Sequence, residues 1–407
     1  MASATGSDPS EPCAAPHIVR LRLSGFRSHN QLDIQCGNGA VVLTGPNGLG
    51  KTNILEAISM LAPGRGLRSA ALEDMVQKNV ADAPGWTVTA DLRGPAGALR
   101  AGVGFQLDAT RQGGRTGRRV RIDGNTAKVE DLATAAPQLW LTPTMDRIFV
   151  DGAAGRRRFL DRFAQTLDIG LTRHLNQYEK AMRERNRLLQ NPGTGDARWL
   201  DGLEEEMALH GVAIAAARLA ALDALALGLA AIPEAAFPRA DIALEGTLEA
   251  ALRVHAAVEV EDQFRTRLAQ ARPNDGGAGR TLEGPHRSDL LVHYAAKNMP
   301  ANACSTGEQK ALLVGLILAQ AHSVAARTGD VPLLLLDEVA AHLDKARRGA
   351  LAEILSALGG QSWITGTEMA VFDGFAAHID VTALDLAEIM QQNAASPDGE
   401  KRQNHMM

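Results

Sequence analysis

Gly45-Pro46-Asn47-Gly48-Leu49-Gly50-Lys51-Thr52 gathers three glycines, a lysine and a hydroxyl at the spacing of a phosphate-binding loop. Gly45, Gly48 and Gly50 let backbone N–H groups curl around phosphate oxygens where a Cβ would clash. Lys51 supplies a point charge to the β- and γ-oxygens, and the Thr52 hydroxyl is a ligand for Mg2+. A plain glycine-rich turn would leave Lys51 and Thr52 at this register without a reason. A second chemical pair, Asp337-Glu338, closes the apolar run Val331 to Leu336. Asp337 is a candidate Mg2+ partner, directly or through water. Glu338 is a candidate general base that orients water towards a γ-phosphate. An Asp-Glu pair opening a helix would look the same in isolation, but the loop upstream favours the chemical reading.

These residues need particular elements behind them. Val41-Val42-Leu43-Thr44 before the loop suggests a strand, and Asn53 to Ile58 after it a helix whose positive end faces the phosphates. The run into Asp337 has no polar alternation, which implies a central strand covered on both faces. Carboxylates at its C-terminal end sit where α/β sheets place ligands. Ser305-Thr306-Gly307-Glu308-Gln309-Lys310 opens a helix through Ala321, with Ser305 and Glu308 spaced as a capping box. Such a capped N-terminus is also an anion site.

Around these motifs, alternation from His17 to Ile34 predicts a hairpin turning at Gly25 to His29. Residues 86–106 and 118–130 are expected strands, marked by Trp86 to Val88 and Ala101 to Leu107, with a further hairpin turning at Asp123-Gly124-Asn125. Leu139 to Leu141 is an expected buried strand. From about Arg156 to Ala271 the pattern is almost entirely helical, with Leu171, Leu175, Tyr178 and Met182 at heptad-like spacing. After Asn191-Pro192-Gly193, an alanine-leucine helix from Trp199 to Leu229 runs back. Residues 280–299 return to strand-like alternation and 305–390 to an α/β pattern. The expected division is a disordered leader (1–16), an N-terminal ATPase part (17–155), a helical lobe (156–279), a C-terminal ATPase part (280–390) and a disordered tail (391–407).

The chain has 407 residues, 45% of them hydrophobic, and a formal net charge of −5. That suggests two or three cores and excludes a globally basic nucleic-acid coat. Local basic clusters remain: Arg111, Arg115, Arg118, Arg119 and Arg121, and Arg156 to Arg158. Cys13, Cys36 and Cys304 lack metal-ligand spacing and fit a reducing compartment. The longest apolar stretch, Ala311 to Ala321, is short for a membrane span. The expectation is a soluble intracellular protein.

The order of the Ser-x-Gly motif, some thirty residues before the Asp-Glu strand, resembles the ABC-type ATPases. By that resemblance the fold is an α/β ABC-type P-loop ATPase head with an inserted, mainly helical lobe containing a short antiparallel helical hairpin. The resemblance implies that Ser305 and Gly307 contact a γ-phosphate held by another subunit's P-loop, so that ATP joins a homodimer. Ala341 to Asp344 matches a loop that reaches across such a dimer, and Trp363 to Thr367 occupies the switch-loop position without a histidine. No glutamine lies in the turn Thr142 to Asp146; Gln138 precedes it.

The opening with Phe26-Arg27-Ser28-His29 is similar to SMC-related heads and the RecF family, where the arginine contacts nucleotide; Arg27 is a candidate on that ground. Gly155 to Arg162 resembles the Arg-Arg-x-Phe-Leu-Asp stretch of the RecF family. Gly284 to Leu290 resembles its Gly-Pro-His-Arg-Asp-Asp motif, with Ser288 for the first Asp. The short helical insert suits a compact clamp. The resemblance implies ATP and Mg2+ as ligands and slow, DNA-stimulated ATP hydrolysis as a switch. It further implies an ATP-dependent homodimer on duplex DNA near single-strand gaps or junctions, also touching single strands. RecR and RecO are the implied protein partners, in replication, recombinational repair and the SOS response. The implied location is the cytoplasm, on the nucleoid and without a membrane. An ABC transporter motor subunit or another P-loop ATPase or kinase is the alternative.

Overall fold

The computed structural model describes residues 15–78, 85–107, 117–132, 136–190 and 197–395. Most of the expected leader and tail lies outside these ranges, as do Arg111, Arg115 and the Asn191-Pro192-Gly193 turn. The chain begins with β1 (His17–Phe26), β2 (His29–Gln35), β3 (Ala40–Thr44), α1 (Lys51–Ser59), β4 (Gly85–Gly94) and β5 (Gly97–Gln106). Next come β6 (Arg119–Ile122), β7 (Asn125–Ala127), β8 (Gln138–Leu141), α2 (Ala153–Leu167), α3 (Leu171–Gln190) and α4 (Ala197–Ala231). β9 (Ala240–Glu245), α5 (Thr247–Leu252), α6 (Ala257–Ala278), β10 (Asp289–Tyr294), β11 (Met299–Pro300) and α7 (Thr306–Thr328) follow. The last elements are β12 (Leu333–Leu336), α8 (Lys345–Leu358), β13 (Ser362–Thr365), β14 (Val381–Asp385) and α9 (Leu386–Ala395).

Packing divides the chain at 143/144 and 327/328 into two compact units. The first, from both ends of the chain, holds two sheets. A parallel sheet runs β14-β3-β13-β12-β8. Its inner strands β3, β12 and β13 are buried along their whole length and mostly apolar, with β12 entirely leucine. Covering both faces removes any reason for polar alternation. The second sheet is antiparallel, β2-β1-β4-β5-β6-β7, and here alternation is clear: Ile18, Leu21, Leu23 and Phe26 of β1 point inward. Trp86 meets Phe26 edge to face at 5.2 Å. β4 and β5 fill the stretch 86–106 expected as strand, including the part between its two apolar ends. Charged Asp91, Arg93 and Arg100 alternate with buried Ala90, Leu92 and Ala101 and mask the pairing. Leu107 lies beyond the strand and is exposed.

The second unit spans 144–327. α3 and α4 pair antiparallel, as Arg185 facing Glu204 and His174 facing His210 demonstrate. The buried stripe of α3 is Leu171, Tyr178, Ala181, Arg185 and Leu188. Leu175 and Met182 are half-buried at its margin. The stretch 156–271 is not all helix, because β9 interrupts it. β10 pairs antiparallel with β9 and with β11. Residues 280–299 therefore join no sheet of the first unit, and α7 packs on α4, where the Ser323 hydroxyl donates to the Ala224 carbonyl at 2.7 Å. By packing the boundaries fall near 143 and 327, where the sequence pattern suggested 155 and 279. Composition marks where helices begin, but the pairing of β9 with β10, some fifty residues apart, is decided by tertiary contact.

Within the described residues α4 and α7 match a membrane-crossing helix in length and apolar composition, beyond the Ala311 to Ala321 stretch. Their apolar windows are 50% and 72% buried inside the fold, so packing accounts for much of that apolar surface.

A candidate phosphate and metal site

The P-loop joins the C-terminal end of β3 to the first turn of α1. Gly45, Gly48 and Gly50 have φ of +134°, +89° and +97°, conformations that L residues rarely adopt. Gly50 has a second reason to be glycine: a Cβ there would lie 2.4 Å from Ser28 Oγ and 2.6 Å from His29 Nε2. His29, a ring the sequence reading passed over, is buried and bonds the Gly50 carbonyl at 3.1 Å. Pro46, Asn47 and Gly48 are exposed and Leu49 is half-exposed. The Lys51 ammonium is buried and donates to the carbonyls of Gly45 at 2.5 Å and Pro46 at 3.1 Å. It is thereby held across the mouth of the loop.

Asp337 arrives from the adjoining part of the same sheet. The Thr52 hydroxyl donates to its Oδ1 and Oδ2, each at 3.0 Å. Thr365, at the end of β13 between the P-loop strand and the Asp-Glu strand, donates to Asp337 Oδ1 at 2.7 Å. Burial raises the Asp337 carboxyl above its ordinary value, against the opposing pull of the Thr365 and Thr52 hydrogen bonds. Hydroxyl and carboxylate oxygens facing each other beside a phosphate loop are the hard donors that Mg2+ takes, with its remaining positions left to water and phosphate. The residues present fit the ion. Glu338 follows in a left-handed conformation, φ +54°, and is half-buried. Gln138 sits at the other end of β8 from this site, paired beside Leu333.

A positively charged flank borders α1. Glu56 is completely buried, and its Oε1 and Oε2 accept from Arg27 Nη2 at 2.7 Å and Nε at 2.9 Å. Arg68 Nη1 donates to Glu56 Oε2 and Asn53 Oδ1, both at 2.8 Å. Arg27 has φ +55° and also donates to the Asp74 carbonyl at 2.8 Å. Sequence reasoning named Arg27 by resemblance as a nucleotide contact and passed over its partner Glu56 and Arg68. The available signal was an acidic residue inside an otherwise apolar helix face.

In the second unit Ser305 and Gly307 are exposed at the start of α7. Half of the expected capping box forms: the Ser305 N–H donates to Glu308 Oε2 at 2.9 Å. The Ser305 hydroxyl donates to the same oxygen at 2.8 Å. Lys297 pairs with the other oxygen and, with the Ser305 bonds, holds the Glu308 carboxyl down at about 2. The two family-like motifs of this unit interlock. Arg156 forms a two-pronged pair with Asp289 at 2.7 and 2.8 Å, and Arg157 donates to the Ser288 carbonyl. Arg218 clasps Asp161 and the Pro285 carbonyl. Ser288 donates to buried Glu249 at 2.7 Å.

The basic clusters divide accordingly. Arg118 is spent inside the first unit, where it donates to the carbonyls of Met60, Ala62 and Gly64 beyond α1. Burial lowers its pKa to about 10. Arg156 is likewise a strut, whereas Arg119, Arg121 and Arg158 are exposed.

The chain matches the family described as "RecF/RecN/SMC N terminal domain" over residues 17–387. It is 50% identical over 361 residues to a "DNA replication and repair protein RecF" of Brucella suis biovar 1 (strain 1330), covering 88% of this chain and 92% of that one. To the protein so described from Mesorhizobium japonicum it is 48% identical over 374 residues, covering 91% and 97%. A solved structure described as "the recombination mediator protein RecF-ATPrS in RecFOR pathway" shares the fold, with a TM-score of 0.78 and 22% identity over 92% of this chain and 97% of the other.

Proposed function

The chain belongs to the RecF branch of the RecF/RecN/SMC N terminal domain family, and from that premise we propose that it is an ATP-switched DNA clamp of replication and repair. Two copies close around nucleotide and hold duplex DNA near single-strand gaps or junctions. The observation that carries the reading is the convergence of Lys51, Thr52, Asp337 and Glu338 at the end of one parallel sheet, from positions nearly 300 residues apart in sequence. Relatives described as DNA replication and repair proteins, and a neighbour described as "RecF-ATP in RecFOR pathway", support the biological setting. Their extent of identity favours this reading over a transporter motor or a small-molecule kinase.

In this reading Gly45, Pro46, Asn47, Gly48, Leu49 and Gly50 wrap the phosphates, and Lys51 neutralises the β- and γ-oxygens. Thr52 and Asp337 hold Mg2+, which supplies charge neutralisation across the phosphates when bound. Glu338 accepts a proton from the attacking water. Arg27 faces the nucleotide from its Glu56 anchor. Ser305 and Gly307 of one copy meet the γ-phosphate held by the other, so neither copy completes the site alone. Hydrolysis is slow, is accelerated by DNA and times release. Exposed Arg119, Arg121 and Arg158 contact the DNA backbone without reading bases, which makes affinity salt-dependent. RecR and RecO are the protein partners, and the work is done in the cytoplasm on the nucleoid.

Glu338→Gln tests the core of this scheme. It is expected to bind ATP and accumulate as a dimer on gapped duplex DNA, with turnover down about 10²- to 10⁴-fold. Ser305→Arg is expected to bind ATP as a monomer and to fail to dimerise, by light scattering with and without nucleotide. Normal dimerisation of Ser305→Arg would remove the shared site.

A further inference from the structure

Thr365 does more than end a strand. Its side chain is completely buried, and its hydroxyl makes two bonds to adjacent residues of the Asp-Glu pair. It donates to Asp337 Oδ1 at 2.7 Å and accepts the Glu338 N–H at 2.9 Å. The peptide between those bonds leads into Glu338, whose φ of +54° is one that non-glycine residues seldom hold without external constraint. A single hydroxyl therefore fixes both ends of the linkage that aims the Glu338 carboxylate.

The surrounding geometry leaves this task to Thr365. β13 lies between the P-loop strand and β12, with Thr365 beside Leu43 and the preceding Ile364 beside Leu336. Gly366 donates its N–H to the Leu43 carbonyl at 3.0 Å. Any Cβ on Gly366 would sit 2.5 Å from Phe372 Cε2, so this turn carries no side chain there. Thr367 is exposed.

We propose that Thr365 is a positioning residue for ATP hydrolysis: its hydroxyl locks the Asp337-Glu338 turn so that metal partner and base keep their relative placement. The inference rests on Glu338 being the base. A valine keeps the shape of Thr365 and can neither donate to Asp337 nor accept from Glu338.

Steady-state hydrolysis by Thr365→Val, Thr365→Ser and Glu338→Gln, beside nucleotide binding by each, tests this. Thr365→Val is expected to lower kcat on the order of 10- to 100-fold, with KM for ATP near wild type and the ATP-dependent dimer retained. Thr365→Ser is expected to recover most of the rate, because its hydroxyl meets the same two partners. Wild-type turnover by Thr365→Val beside an inactive Glu338→Gln overturns the positioning role alone. Loss of nucleotide binding in Thr365→Val, unrelieved by serine, also overturns it, since that marks a packing role. Normal turnover by Glu338→Gln overturns the base assignment itself.

Discussion

Glu56 illustrates how much of this site depends on residues without a motif. A carboxylate with no exposed surface is costly unless its charge is matched, and here two guanidiniums match it. Removing it by Glu56→Ala strands Arg27 and Arg68, which are only partly exposed. The expected loss is about 2 kcal/mol, below that of a fully buried pair because water reaches both arginines. Nucleotide affinity is expected to fall with it, since Arg27 loses its anchor beside the P-loop. Thermal denaturation and a nucleotide titration of the same variant check both effects. Unchanged affinity in a destabilised variant would separate Arg27 from the nucleotide. Arg118 teaches the converse. Its neighbours in sequence suggested a charged surface, but its guanidinium serves three carbonyls beyond α1.

Among the elements, the α3–α4 hairpin is joined by charge as well as by apolar contact. Arg185 occupies the heptad position after Leu171 and Tyr178 and is wholly buried. It donates to Glu204 of α4, to Asp275 of α6, to the Thr281 hydroxyl and to the Leu268 carbonyl. Glu204 also receives Arg272. Breaking such a network from one side leaves an unpaired buried charge, so Glu204→Ala is expected to destabilise by about 3–5 kcal/mol. Urea denaturation of the whole chain measures it, and a change below 1 kcal/mol would mean that water reaches the set. Thr281 lies just ahead of the Gly-Pro-His-Arg segment, so this network ties the hairpin to that motif. Heptad spacing disclosed the helices but not the charged seam, because an arginine in a sequence gives no sign of its partners.

At the scale of the molecule, acid is expected to weaken the fold. His29, His210, His286 and His322 all have pKa values lowered, first by burial. Each ring takes up a proton more readily in the unfolded chain, so stability is full above the ordinary value of 6.5 and declines as pH falls below it. Asp337, raised by burial, works in the opposite sense and is outnumbered. The Glu308 cap is unaffected in this range, since its contribution persists until pH falls from the ordinary 4.5 towards about 2. Tm is expected to be lower at pH 5.5 than at pH 7.5. An equal or higher Tm at pH 5.5 would contradict the burial of these rings.

The sequence by itself marked a phosphate-binding loop, the Asp-Glu pair and the strands that carry them. Backbone conformation at the P-loop demands glycine, and a strand covered on both faces must be apolar, so both leave local marks that survive without a structure. The tertiary structure alone decided which polar groups are spent on packing and which face the site. Glu56, His29 and Thr365 matter through partners 20 to 30 residues away, and β9 finds β10 only on folding. Such contacts form between side chains whose own sequence neighbourhoods carry no trace of one another.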